Sequence, residues 1–226
     1  MKIRRTKTRY AAIFDMDGVI VDNHHYHFLA WEAFCNKYDI PFDHQSFLTH
    51  FGGTNQEVMT ALFGRELSAK ELNDLSTEKE KLYRDLYRPY IQEVFGLRRF
   101  LEALVKSSVP VAVATSGPYV NVKFVLRELK LEKYFNKLIY DTYVKQCKPH
   151  PEVFLRAADM LKVSPDQCIV FEDSLRGIEA GNRAGMRVVG IATTNKAEEL
   201  RDTVLTVNDF TELNLDIINR LMNNQN

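Results

Sequence analysis

The chain has 226 residues, 45% hydrophobic and 11% aromatic, enough to bury a full core in one domain or in a domain carrying an insertion. Thirty basic residues balance thirty acidic ones, so no overall field draws the protein to nucleic acid or to an anionic membrane surface. No apolar run reaches the length of a bilayer span and no apolar stretch of signal-peptide type follows the basic start. Three widely spaced cysteines, Cys35, Cys147 and Cys168, form no CxxC pair, so they read as buried thiols of a cytoplasmic protein.

In chain order, Lys2, Arg4, Arg5, Lys7 and Arg9 read as a solvated tail, because no aromatic platform or motif accompanies them. Short runs rich in Val and Ile follow at 10–14, 109–114, 137–140, 167–171, 186–192 and 203–207. Such near-continuous apolar character predicts strands covered on both faces, hence a parallel sheet. Between them Val122, Val125, Leu126 and Leu129 recur at helical spacing, as do Val153, Phe154, Ala157, Ala158 and Leu161. Strands alternating with helices predict a doubly wound, Rossmann-like α/β core. The segment 22–92 breaks the alternation. It carries helical patterns at Phe28, Trp31, Phe34, Cys35 and Tyr38, then at Leu72, Leu75, Leu82, Tyr83 and Leu86. The expectation is a core of 1–21 and 93–226 with an all-helical insertion, 22–92, after the first strand. Its hinges fall at Asp22-Asn23 and around 89–96.

Polar residues gather where the expected strands stop: Asp15-Met-Asp17-Gly18 after the first, Thr115-Ser116 after the second, and Glu172-Asp173-Ser174 after the fourth. Lys148-Pro149 lies in the loop that follows the third, after 137–142. Ligands of parallel α/β sheets bind beyond the carboxyl ends of the strands, so these groups are expected to converge. The Asp-x-Asp-Gly run fails as a calcium loop, since Val19 stands at the next ligand position and no closing Glu follows. A plain Asp-Gly turn leaves the second acidic strand end unexplained. Carboxylates sharing one cleft repel unless a hard cation neutralises them, which points to Mg²⁺ and a phosphorylated substrate. Lys148 can stabilise phosphate oxygens and the hydroxyls of Thr115 and Ser116 can donate to them, although Ser116 also suits a helix N-cap.

The runs Asp15-x-Asp17-Gly-Val-Ile-x-Asp22, Thr115-Ser116, Lys148-Pro149-x-Pro151 and Glu172-Asp173-Ser174 resemble, in order, the four motifs of the haloacid dehalogenase superfamily. Asp22-Asn23-x-x-Tyr26-His27-x-x-Ala30-Trp31 resembles its β-phosphoglucomutase branch and the phosphatases close to it. The resemblance implies that 22–92 is a cap domain and that Asp15 is the nucleophile, forming an aspartyl-phosphate. It implies that Asp17 is the general acid and base, and that Thr115 and Lys148 hold the transferred group. Mg²⁺ would be bound by Asp15, the Asp17 carbonyl and Asp173, with Glu172 in support. An idle receiver-like phosphate-binding module is disfavoured by Asp17 and the insertion.

Candidate cap contacts to the substrate are His27, Gly52 and Asn55 of the loop 50–55, and Lys79. Trp31 reads as packing and His24 and His25 as exposed neighbours of His27. Lys79 reads equally well as a surface charge on a Glu- and Lys-rich helix. Mutases resembling this chain carry Arg at the position of Asn55, Thr at that of Asn23 and Asn at that of Tyr119. Loss of that arginine favours a phosphatase acting on a small phosphomonoester such as a sugar phosphate. The alternative is a β-phosphoglucomutase interconverting β-glucose 1-phosphate and glucose 6-phosphate. A monomer is compatible with the sequence, which leaves oligomeric state open.

Overall fold

Ala11-Ala-Ile-Phe14 and Val111-Ala-Val-Ala114 carry no polar side chain, so both faces of each strand can be covered by helices, as a parallel sheet requires. The structure, a computed structural model, describes residues 10–45, 47 and 55–223. The basic tail and Gly52 therefore lie outside the described residues.

All six expected strands form, their ends shifted by no more than two residues: β1 (Ala11–Phe14), β2 (Val111–Ala114), β3 (Lys137–Ile139), β4 (Cys168–Glu172), β5 (Arg187–Ile191) and β6 (Leu205–Val207). They make one parallel sheet in the order β3-β2-β1-β4-β5-β6. The helices are α1 (His24–Lys37), α2 (Asn55–Phe63), α3 (Ala69–Tyr87), α4 (Leu97–Lys106), α5 (Tyr119–Glu128), α6 (Glu152–Leu161), α7 (Leu175–Arg183) and α8 (Leu215–Asn223). Among the described residues no helix is long and apolar enough to cross a membrane.

The two-residue period of β1 sends Ala12 and Phe14 to one face, where they join Leu97 and Phe100 of α4, Val125 of α5 and Ile218 of α8. Ala11 and Ile13 face the other side, against Val153, Phe154 and Ala157 of α6 and Ile178 of α7. The core is thus wound on both faces. Phe14 stacks on Phe171 with ring centroids 4.5 Å apart, bridging β1 and β4. Burying such a ring contributes about 1.5–3 kcal/mol.

Helices α1, α2 and α3 build a separate apolar cluster of Trp31, Phe34, Cys35, Val58 and Met59, with Phe47 added to it. Ser68 begins α3 with a capping box, accepting from Glu71 N while the Glu71 carboxylate accepts from Ser68 N at 3.0 Å. The chain leaves β1 and returns to α4 through paired segments, Val21 bridging both Asp17 and Glu93. These bridges lie beside the expected hinges.

Candidate functional site

The strand order reverses between β1 and β4, so their carboxyl ends flank the crevice of the sheet. Phe14 is in register with Phe171, and Asp15 N donates to Phe171 O at 3.0 Å. This pairing puts Asp15 beside Glu172 and Asp173. Each of the three buried carboxylates brings an oxygen within 4.8 Å of the other two. Gly18 makes room for the arrangement. Its φ of +77° is a left-handed conformation, and a Cβ there would overlap the Asp173 carboxylate.

Lys148 reaches into this cluster from the loop before α6, its Nζ 2.9 Å from Asp15 Oδ1 and 2.5 Å from Glu172 Oε1. Arg176 at the start of α7 fixes that loop, donating to Lys148 O from Nε and Nη2 at 2.9 and 2.5 Å. Burial opposes the Lys148 charge, but the Asp15 and Glu172 carboxylates outweigh it and raise its pKa. Glu172 is fully enclosed. Its Oε2 accepts from Asp173 N, Ser174 N and Ser174 Oγ at 2.9, 3.0 and 3.0 Å, so it orders the turn after β4 as well as holding Lys148.

Three carboxylates against one ammonium leave two negative charges in excess when all are ionised. Burial and mutual repulsion accordingly raise the Asp15 and Asp173 carboxyls above the usual range. Asp15 Oδ1 is buried without a well-aligned hydrogen bond. An all-oxygen donor set carrying this excess negative charge fits Mg²⁺.

Asp17 lies outside that cluster. Asn23, just before α1, donates to its Oδ1 at 2.5 Å, and His27 Nε2 is 3.5 Å from the same oxygen. Burial alone raises the Asp17 carboxyl, yet His27 and Asn23 outweigh it and hold the group below its ordinary value. His27 stacks flat on Tyr83 of α3, centroids 3.9 Å apart, and Asn23 also donates to the Tyr83 hydroxyl at 2.5 Å.

A cavity of about 350 Å³ opens above these groups, between the sheet edge and the helices of 22–92. Asp15, Asp17, Lys148 and Asp173 line its floor, Ser116 and Gly117 one side, and His27, Asn55, Lys79 and Glu80 the opposite wall. Lys79 is buried, not a surface charge. Trp31 packs in the helical cluster as expected and also lines the cavity, with Lys79 Nζ 4.7 Å from its ring centroid. His24 departs from its expected exposure: it is half-buried on the cavity wall, where burial lowers its pKa to about 4.

Two expected residues sit differently. Thr115 is buried and does not line the cavity; its Oγ1 accepts from Gly117 N at 3.0 Å, so it shapes the turn that presents Ser116 and Gly117. Glu172 touches Lys148 and the β4 turn but does not line the cavity. Sequence reasoning passed over Glu80 and Asn121, both buried at the cavity. A signal existed for each. Glu80 shares an i, i+3, i+7 stripe with the buried Tyr83 and Tyr87, and Asn121 precedes Phe124 and Val125 on the apolar face of α5.

A family model described as haloacid dehalogenase-like hydrolase matches residues 12–191. The phosphorylated carbohydrates phosphatase of Thermotoga maritima is 33% identical over 186 residues, covering 80% of this chain and 84% of the relative. The β-phosphoglucomutase of Bacillus subtilis is 32% identical over 215 residues, covering 92% and 93%. A crystal structure of a family IA, variant 3 hydrolase from Entamoeba histolytica superposes with a TM-score of 0.88 at 29% identity, covering 95% of this chain and 100% of that one. The matched span begins inside β1 and ends with β5, taking in both sides of the crevice and everything inserted between them. The chain belongs to the haloacid dehalogenase-like hydrolases, in the branch of β-phosphoglucomutases and sugar-phosphate phosphatases.

Proposed function

We propose that the protein is a phosphatase that hydrolyses a small phosphomonoester, a sugar phosphate, through an aspartyl-phosphate on Asp15. The observation that carries this reading is the buried Asp15 carboxylate at the cavity floor, set between Lys148 and Asp173. Residues 1–21 and 93–226 are taken as the catalytic core and 22–92 as its cap. Enzymes of this family generally use Mg²⁺. Asp15 and Asp173 would hold it together with the Asp17 carbonyl, and when bound it neutralises charge on the carboxylates and on the phosphate.

Asp15 attacks phosphorus in line, forming the acyl-phosphate bond as the bond to the leaving sugar oxygen breaks. Asp17 gives its proton to that oxygen, then removes one from the incoming water, whose oxygen attacks phosphorus and frees the Asp15 carboxylate. Asp17 is held ionised by His27 and Asn23 before substrate arrives, the state its second step needs. The proton for its first step can come with the substrate, because a phosphomonoester has a second pKa of about 6. Lys148 offers charge to the transferred oxygens, and Ser116 offers its hydroxyl as a donor at the turn that Thr115 shapes through Gly117 N. The three free thiols fit a reducing compartment, and we assign the protein to the cytoplasm.

Water is the preferred acceptor because Asn55 stands at the cap wall as an uncharged amide bonded to Glu80. A mutase would have to hold a bisphosphorylated intermediate there. The test is a Mg²⁺-dependent screen of phosphate release from small phosphomonoesters, run beside a coupled assay for glucose 1-phosphate isomerisation. Fast release without isomerisation is expected, and Asp15→Asn should abolish it. Efficient isomerisation with little release would overturn the hydrolase in favour of the mutase.

A further inference from the structure

The cap side of the cavity carries a second buried ion pair, Lys79 Nζ to Glu80 Oε1 at 2.9 Å, with the two residues 3% and 4% exposed. Adjacent residues of a helix do not face each other, so this is not an ordinary pair supporting α3. It forms because both side chains turn inward and are gripped from other elements. Asn121 of α5 donates to Glu80 Oε2 at 2.6 Å and Asn55 of α2 to Oε1 at 3.0 Å. Lys79 Nζ lies 3.3 Å from His27 Nδ1 and rests over the Trp31 ring. Arg84 in turn donates to Asn121 Oδ1 at 2.8 Å, fixing the amide that holds Glu80.

Stability does not account for such a pair, since well-packed apolar residues commonly replace buried ion pairs at no loss. Its position on the cavity wall does. We propose that Glu80 is a specificity-determining residue: by neutralising Lys79 it fits the cap side of the cavity to the uncharged hydroxyl-bearing body of a phosphomonoester and turns away substrates carrying a second phosphate. The inference rests on the phosphomonoester reading above.

Without Glu80, the Lys79 ammonium would face the cavity as an anion subsite. With it, the ammonium already has a carboxylate partner. A second phosphate brings about −1.5 to −2 charges and would sit against an ionised carboxylate in a desolvated wall, a like-charge contact costing several kcal/mol. Burial opposes the Glu80 charge, but Lys79, His27 and the Asn121 hydrogen bond outweigh it and hold the carboxyl at about 2, so it is ionised at neutral pH. A sugar hydroxyl meets no such penalty: it can donate to a remaining lone pair of Glu80 or accept from Asn55.

The test measures binding of glucose 6-phosphate and glucose 1,6-bisphosphate by calorimetry in an Asp15→Asn background with Mg²⁺ present, with turnover measured in parallel on the protein with Asp15 intact. The bisphosphate should bind weaker than the monophosphate by roughly tenfold or more. Glu80→Gln should improve bisphosphate binding relative to monophosphate by a similar factor, and Lys79→Met added to Glu80→Gln should remove that gain. A bisphosphate that binds as tightly as the monophosphate when Glu80 is present overturns the inference, as does an unchanged ratio in folded Glu80→Gln. If Glu80→Gln does not fold, the comparison with Glu80 intact decides. Loss of turnover on every phosphomonoester with the binding ratio intact would instead remove the hydrolytic reading and leave the discrimination standing.

Discussion

Asn23 donates from Nδ2 to Asp17 Oδ1 at 2.5 Å while wholly buried. The residue that leads into α1 is thereby bonded to the carboxylate proposed to move protons. The same amide reaches the Tyr83 hydroxyl on α3, so it links the β1 loop to the inserted helices. Asn23→Ala strips a donor from both partners. It is expected to cost about 1–3 kcal/mol of stability and to lower kcat by on the order of tenfold through a less well-held Asp17. Thermal melting and phosphate release read the two effects, and a variant matching the parent in both would remove Asn23 from the site.

Lys148 is the cation that lets Asp15 and Glu172 lie together. Lys148→Met should destabilise the metal-free protein by about 3–5 kcal/mol, the cost of leaving buried charge unpaired. Added Mg²⁺ should restore part of that loss while phosphate release stays abolished. Denaturant melts in EDTA and in Mg²⁺ measure this; equal stability of parent and variant in EDTA would contradict the repulsion argument.

Gly177 sits in α7 with its α-carbon against Glu172, and an added Cβ would overlap the carboxylate. Gly→Ala inside a helix ordinarily stabilises by about 0.5–1 kcal/mol. Here Gly177→Ala should instead destabilise by about 1–3 kcal/mol, because Glu172 is held by four donors and has no room to shift. A raised melting temperature would show that Glu172 yields more easily than its hydrogen bonds imply.

Glu80 supplies a pH test. Its folded pKa is depressed from 4.5 to about 2, so its contribution is present above 4.5 and is lost as pH falls through about 2. Between pH 4.5 and 2 the protein with Glu80 should therefore lose stability more steeply than Glu80→Gln, by an amount on the order of 3 kcal/mol across the window. Chemical denaturation at stepped pH gives the slopes, and parallel slopes would mean that Glu80 is not held ionised by Lys79.

The six strands and the acidic, hydroxyl and lysine residues at their ends were legible from the chain alone. A strand covered on both faces needs near-continuous apolar residues, as in Val111-Ala-Val-Ala114, and parallel strands place all their carboxyl ends at one edge. The strand pattern alone thus brings Asp15, Asp173 and Lys148 to one edge of the sheet. Thr115 and Glu172 show the limit of that reasoning. Both stand at the right edge, but one turns its hydroxyl to Gly117 N and the other its carboxylate to Lys148 and the β4 turn. Which way a strand-end side chain points depends on the local turn, and position along the strand does not specify it. The cavity wall formed by α1, α2 and α3 was decided by tertiary structure still more fully. Glu78-Lys-Glu-Lys81 by its composition reads as a solvated charge run, from which only resemblance singled out Lys79, and the packing of α3 on α1 and α5 turns Lys79 and Glu80 inward while Lys81 stays exposed. A helix's own periodicity says which residues share a face; the partner that face meets is set by contacts with residues distant in sequence.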